Sequence, residues 1–94
     1  MMDANRCRVC GRFPTVTPYD QSVDGNHDRA ASVKCRCGNE VYLDWYLYIE
    51  VERTFRERGR SIYAEPTAYL SREFTDALTD AVVDKWNREN GGVE

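Results

Sequence analysis

Two stretches, Arg6-Cys7-Arg8-Val9-Cys10-Gly11 and Val33-Lys34-Cys35-Arg36-Cys37-Gly38, decide how this chain folds. Each sets two cysteines close together and follows them at once with glycine. A glycine there lets the backbone turn under the sulfurs with positive φ, free of the Cβ penalty. Two such turns facing each other offer four soft ligands at the corners of a tetrahedron, which is what Zn²⁺ prefers. The metal reading is therefore one structural zinc held by Cys7, Cys10, Cys35 and Cys37. Two disulfides, or four unrelated thiols, are the competing readings, and the pairing with trailing glycines favours the metal. The second pair has one intervening residue, Arg36, where two are common, so its turn must be tighter. His27 is the only histidine, and it falls in the polar run Asp24-Gly25-Asn26-His27-Asp28, which reads as a loop tip.

The bulk numbers agree with a small metal-stabilised domain. Ninety-four residues form one unit, 1–94, by size alone. Hydrophobic residues are 41% and charged residues 31%, as in a soluble globular chain. A core of this size gains from the folding free energy that a bound metal supplies. The net charge of −3 argues against a general nucleic-acid binder. No window reaches the roughly 18 apolar residues that a membrane span needs. Met1 to Arg6 shows no apolar signal-peptide segment. The expectation is a cytoplasmic protein in a reducing compartment, where paired thiols persist and bind metal.

Three segments follow from the pattern. Residues 1–40 read as a zinc hairpin, with a short strand at Thr15-Val16-Thr17 between Pro14 and Pro18, a loop over 20–29 and a strand over 31–34. Residues 41–64 read as a long strand and an arginine-rich hairpin. Val41, Leu43, Trp45, Leu47, Ile49 and Val51 alternate with Tyr42, Asp44, Tyr46, Tyr48, Glu50 and Glu52, which predicts a strand over 41–52 with one face in the core. The tyrosine face reads as solvated sheet or as a partner contact. Glu57-Arg58-Gly59-Arg60 reads as a turn, and 61–64 as a returning strand. Arg53, Arg56, Arg58 and Arg60 collect there, as a solvated tip or a basic contact. Glu65-Pro66 ends the strand pattern.

Residues 71–89 read as a helix. Phe74, Leu78, Val82 and Trp86 form an i,i+4 row, Ser71 suits the N-cap, and Asn90-Gly91-Gly92 supplies a stop. Acids early and bases late match the helix dipole. Glu73, Asp76, Asp80 and Asp84 line the other side as a wet face, with mimicry of DNA phosphates as the alternative. The fold class is α+β: a small zinc-ribbon-like β-hairpin sheet with one C-terminal α-helix packed on it. Trp45, Leu47, Phe74, Leu78, Val82 and Trp86 are expected to share the core.

Chemistry is sparse in the sequence. Zinc held by four thiolates has no open position for water or substrate. There is no Ser/His/Asp grouping and no phosphate-binding glycine loop, so the expected class is a binding module and not an enzyme. Arg6, Arg8, Lys34 and Arg36 surround the cysteines, where positive charge favours thiolate.

Cys7-Arg8-Val9-Cys10-Gly11, Val33-Lys34-Cys35-Arg36-Cys37-Gly38 and the helix ending Ala81-Val82-Val83-Asp84-Lys85-Trp86-Asn87-Arg88 together resemble the restriction alleviation (Lar) family. These are small zinc-ribbon-like proteins of phages and prophages. The matching blocks cover about a fifth of the chain, and the Trp86-Asn87-Arg88 ending is their most discriminating part. The chain departs from the family in its CxC pair and in a longer connection over 40–70. The resemblance implies zinc ligation by the four cysteines. It also implies a phage-encoded anti-restriction or anti-defence protein that binds and modulates a host defence or DNA-handling protein in the host cytosol. In the family, the effect concerns type I restriction–modification enzymes. The alternative expectation is a zinc-ribbon protein that binds nucleic acid through its arginines and regulates phage or host transcription. A third is an accessory phage protein whose surface serves oligomerisation.

Overall fold

β-Branched residues and glycine-closed turns build the first half of the molecule. The structure, a computed structural model, describes residues 3–19, 31–59 and 72–90. Three short strands, β1 (Thr15–Thr17), β2 (Ser32–Lys34) and β3 (Glu40–Tyr42), form an antiparallel sheet in the order β1-β2-β3. Val16 stands opposite Val33, and Val33 opposite Val41. The strands at 15–17 and near 31–34 lie where the sequence places them. Pro14 and Pro18 bracket β1 and suit its place at the sheet edge, because proline cannot donate to a ladder. Val33 and Val41, the middle residues of β2 and β3, are buried.

The predicted strand over 41–52 stops after Tyr42. The chain leaves β3 at Tyr42, and Asp44 starts a helix, α1 (Trp45–Glu57). The Asp44 carboxylate accepts the Leu47 amide at 2.8 Å, capping the first turn. Leu47, Val51 and Phe55 are the buried apolar residues of α1, spaced four apart, with Glu52 buried beside them. Every residue four along from an odd position is also odd, so a helical stripe can hide inside a period-two alternation. Trp45 is the residue that separates the two readings. It is 57% exposed, correcting its expected place in the core. Gly59, at φ +80°, follows the α1 C-cap residue Arg58. Arg53 and Arg56 thus sit on a helix, not on a hairpin tip. The returning strand at 61–64, Arg60, Glu65-Pro66, the loop over 20–29, His27 and the Ser71 cap lie outside the described residues.

The second helix, α2 (Arg72–Asn90), matches the expected 71–89 closely. Phe74, Leu78, Val82 and Trp86 are all buried, and Asn90 continues their row by one more step. Thr79 and Val83 widen the stripe. The helix packs across β2 and β3 and along α1. Phe74 is the aromatic hub: Phe55 meets it edge-on at 5.2 Å between centroids and Tyr48 at 5.7 Å, while Trp45 stacks outside on Tyr48 at 5.9 Å. Lys85 of α2 reaches Asp44 at 3.0 Å and ties the start of α1 to the end of α2. The architecture is a small α+β fold with two helices instead of the expected one, the C-terminal helix lying on the sheet. No described helix is long and apolar enough to cross a membrane.

Candidate metal centre

The two cysteine turns are closed by main-chain bonds of different reach. In the first, the Gly11 amide donates to the Cys7 carbonyl at 2.8 Å and the Cys7 amide to the Arg12 carbonyl at 2.8 Å. In the second, the Gly38 amide donates to the Cys35 carbonyl at 3.0 Å and the Cys35 amide to the Asn39 carbonyl at 2.8 Å. The glycine of the second turn thus reaches back three residues where the first reaches back four. That is how a CxC pair forms the tighter turn that its spacing demands. Gly11 and Gly38 have φ of 75° and 100°, the left-handed region that other residues enter only with strain.

The turns bring all four Sγ atoms of Cys7, Cys10, Cys35 and Cys37 within 4.8 Å of one another. Cys7 and Cys37 are 3.6 Å apart at sulfur, and Cys10 and Cys35 are 3.1 Å apart. A tetrahedron with zinc–sulfur bonds of about 2.3 Å has sulfur–sulfur edges of about 3.8 Å, so the cluster is close to the size such an ion needs. All four thiols are free, and the separations exceed the roughly 2.05 Å of a disulfide. One cysteine of each turn, Cys7 and Cys35, is buried, while Cys10 and Cys37 are exposed. The donor set fits a single tetrahedral ion, and the four sulfurs fill its coordination. Bound there, zinc would cross-link the two turns and supply folding free energy.

Hydrogen bonds aim at the buried sulfur. The Val9 amide donates to Cys7 Sγ at 3.4 Å and the Asn39 side-chain amide at 3.5 Å. Burial works against ionisation of Cys7. The Asn39 amide, the Cys10 and Val9 amides and the Cys37 thiol more than offset it, bringing its pKa from 9.0 down to about 6. Cys10 moves upward, chiefly through its hydrogen bond with the Cys35 thiol. The Arg6 guanidinium serves the turn differently from the expected thiolate support. It donates to the Gly11 carbonyl at 3.2 Å and lies 4.3 Å above the centre of the Phe13 ring.

Sequence reasoning missed Asn39 and Asn90. Asn90 Oδ1 accepts from the Asn39 side chain at 2.8 Å and from the Arg8 amide at 3.3 Å, while its own amide donates to the Trp86 carbonyl at 2.9 Å. The end of α2 therefore braces both cysteine turns. Trp86 Nε1 donates to the Asn5 carbonyl at 2.9 Å, and Asn87 accepts from the Asn5 amide at 2.7 Å and donates to the Asp3 carbonyl at 2.9 Å. The Trp-Asn pair thus clamps residues 3–5. The signal for Asn90 was in the sequence, because it is the next i+4 position after Trp86.

No protein-family model matches the chain, and no match is found among curated proteins or solved structures. The resemblance to the restriction alleviation family rests on the quoted residue blocks alone.

Proposed function

We propose that this chain is a zinc-stabilised binding module, phage-encoded and cytoplasmic, that acts on a host restriction or other DNA-handling protein. The observation that carries the binding-module part is the cluster of four sulfurs within 4.8 Å of one another. Such a donor set saturates a tetrahedral zinc and leaves the ion a structural task. The protein then works through its outer surface. The target class comes from the resemblance of the cysteine blocks and the Trp86-Asn87 helix ending to restriction alleviation proteins.

The test is a plating assay in hosts that carry or lack a type I restriction system. Expression of the chain raises the plating efficiency of unmodified phage in the restricting host and leaves the non-restricting host unchanged. Co-purification then recovers a subunit of that restriction enzyme. Equal plating with and without the chain, across hosts with restriction systems of each type, overturns the assignment.

A further inference from the structure

The cysteine turns carry a surface that zinc binding does not use. Arg6, Arg8, Arg12, Lys34 and Arg36 are all exposed, and residues 4–19 and 31–39 contain no acid. Against −3 for the whole chain, these five positive charges leave −8 on the remaining residues. A zinc bound by four thiolates contributes −2 and Glu40, beside Lys34, a further −1, so this end stays positive by two charges. Lys34 is balanced by Glu40 at 3.7 Å, which leaves the four arginines as the outward charge. Val9 and Phe13 stand among them, 68% and 65% exposed. Neither residue belongs to the core.

Phe13 is the informative member. Its ring lies under a guanidinium that the Gly11 carbonyl holds in place. A ring stacked on a fixed cation, within a rim of arginines, is the arrangement on which an unpaired base stacks while phosphates meet the charges. We propose that the face formed by Arg6, Arg8, Arg12, Phe13 and Arg36 binds single-stranded nucleic acid, with Phe13 as the stacking platform. Two exposed apolar side chains give little area for a membrane, whereas four guanidinium groups suit phosphate. The remaining residues carry net negative charge, which disfavours binding of a polyanion elsewhere on the chain. The inference does not depend on the host-protein reading above.

The experiment is fluorescence anisotropy of the zinc-loaded chain with a labelled oligothymidylate across a salt series. Binding is expected at low salt, and log K falls with log salt with a slope of about −2 to −3, as three to four phosphate contacts on a single strand require. Phe13→Ala weakens binding about tenfold at every salt concentration with the slope unchanged. Arg8→Ala with Arg12→Ala flattens the slope by about 1.4. Zinc content and circular dichroism of both variants stay at the wild-type values, since none of these residues is a ligand or buried. Absence of binding at low salt overturns the proposal. So does a Phe13 variant that binds as the parent does. Equal binding of a polyglutamate peptide, lost in the same variants, assigns the face to an acidic protein and overturns it as well.

Discussion

Asn90 is the residue on which the metal centre and the fold meet. Its side chain takes hydrogen bonds from the Arg8 amide of one cysteine turn and from Asn39 beside the other. In Asn90→Ala the part-buried Arg8 amide loses this acceptor, and Asn39 keeps only its contact with Cys7 Sγ. A fully buried donor left unpaired costs about 1–3 kcal/mol, and part-burial puts this loss at the lower end, about 1 kcal/mol. The expected result is a fall of that size in the urea-unfolding free energy of the zinc-loaded protein, with one zinc per chain retained. An unchanged unfolding midpoint would show that the brace carries no stability. The clustering of the four cysteines was legible in the sequence, because cysteines followed by glycine announce their turn chemistry locally. The brace was not legible, because an asparagine at a helix end looks like a cap until the sheet it touches is known.

At the scale of elements, α1 shows where pattern reading fails. Alternation over 41–52 satisfies a strand template, yet Leu47, Val51 and Phe55 already form a helical row within the odd positions. Two local signs favour the helix: Asp44 is a good cap, and Arg53 breaks the odd apolar series while Phe55 continues the four-residue spacing. The α2 row was legible because its period admits no second interpretation. The difference is measurable. Trp45→Ala should cost less than about 1 kcal/mol, as a change at an exposed side chain with one stacking contact. Trp86→Ala should cost about 3–5 kcal/mol or prevent folding. Similar large costs at both positions would restore the strand.

Asp44 adds a pH signature to the same element. Partial burial opposes ionisation of its carboxyl. The Leu47 amide, the Lys85 ammonium and the Tyr46 amide outweigh that and hold it below its ordinary value of 3.8. A group depressed in the folded state contributes stability above its unfolded pKa and loses it as pH falls through the folded one. The stability difference between the parent and Asp44→Asn, measured by urea unfolding, should therefore be constant near neutrality and shrink below about pH 4. The cap itself is worth about 1 kcal/mol, and asparagine keeps most of it. A difference that grows on acidification would contradict the assignment.

For the whole molecule the decisive comparison is between the metal and everything else. Structural zinc supplies about 10–16 kcal/mol in small zinc-binding peptides, against a total stability of roughly 5–15 kcal/mol for a domain. The core here is modest, so removal of zinc outweighs any single side-chain change. Cys35→Ser, or a strong chelator added to the parent, should abolish the cooperative thermal transition and lose the strand signal in circular dichroism. Freshly purified protein with no bound metal and an undiminished transition would refute the structural role.

The clamp of Trp86 and Asn87 on residues 3–5 joins positions 81 to 84 apart in sequence. All four sulfurs emerge from the ribosome before residue 38, well ahead of that clamp. Loading of the ion can thus precede emergence of the last helix, whose arrival then locks the loaded turns in place. A chain ending at residue 43 should still take up one equivalent of zinc and release it faster to a chelator than the full chain does. Failure of that fragment to take up any metal would place loading after translation.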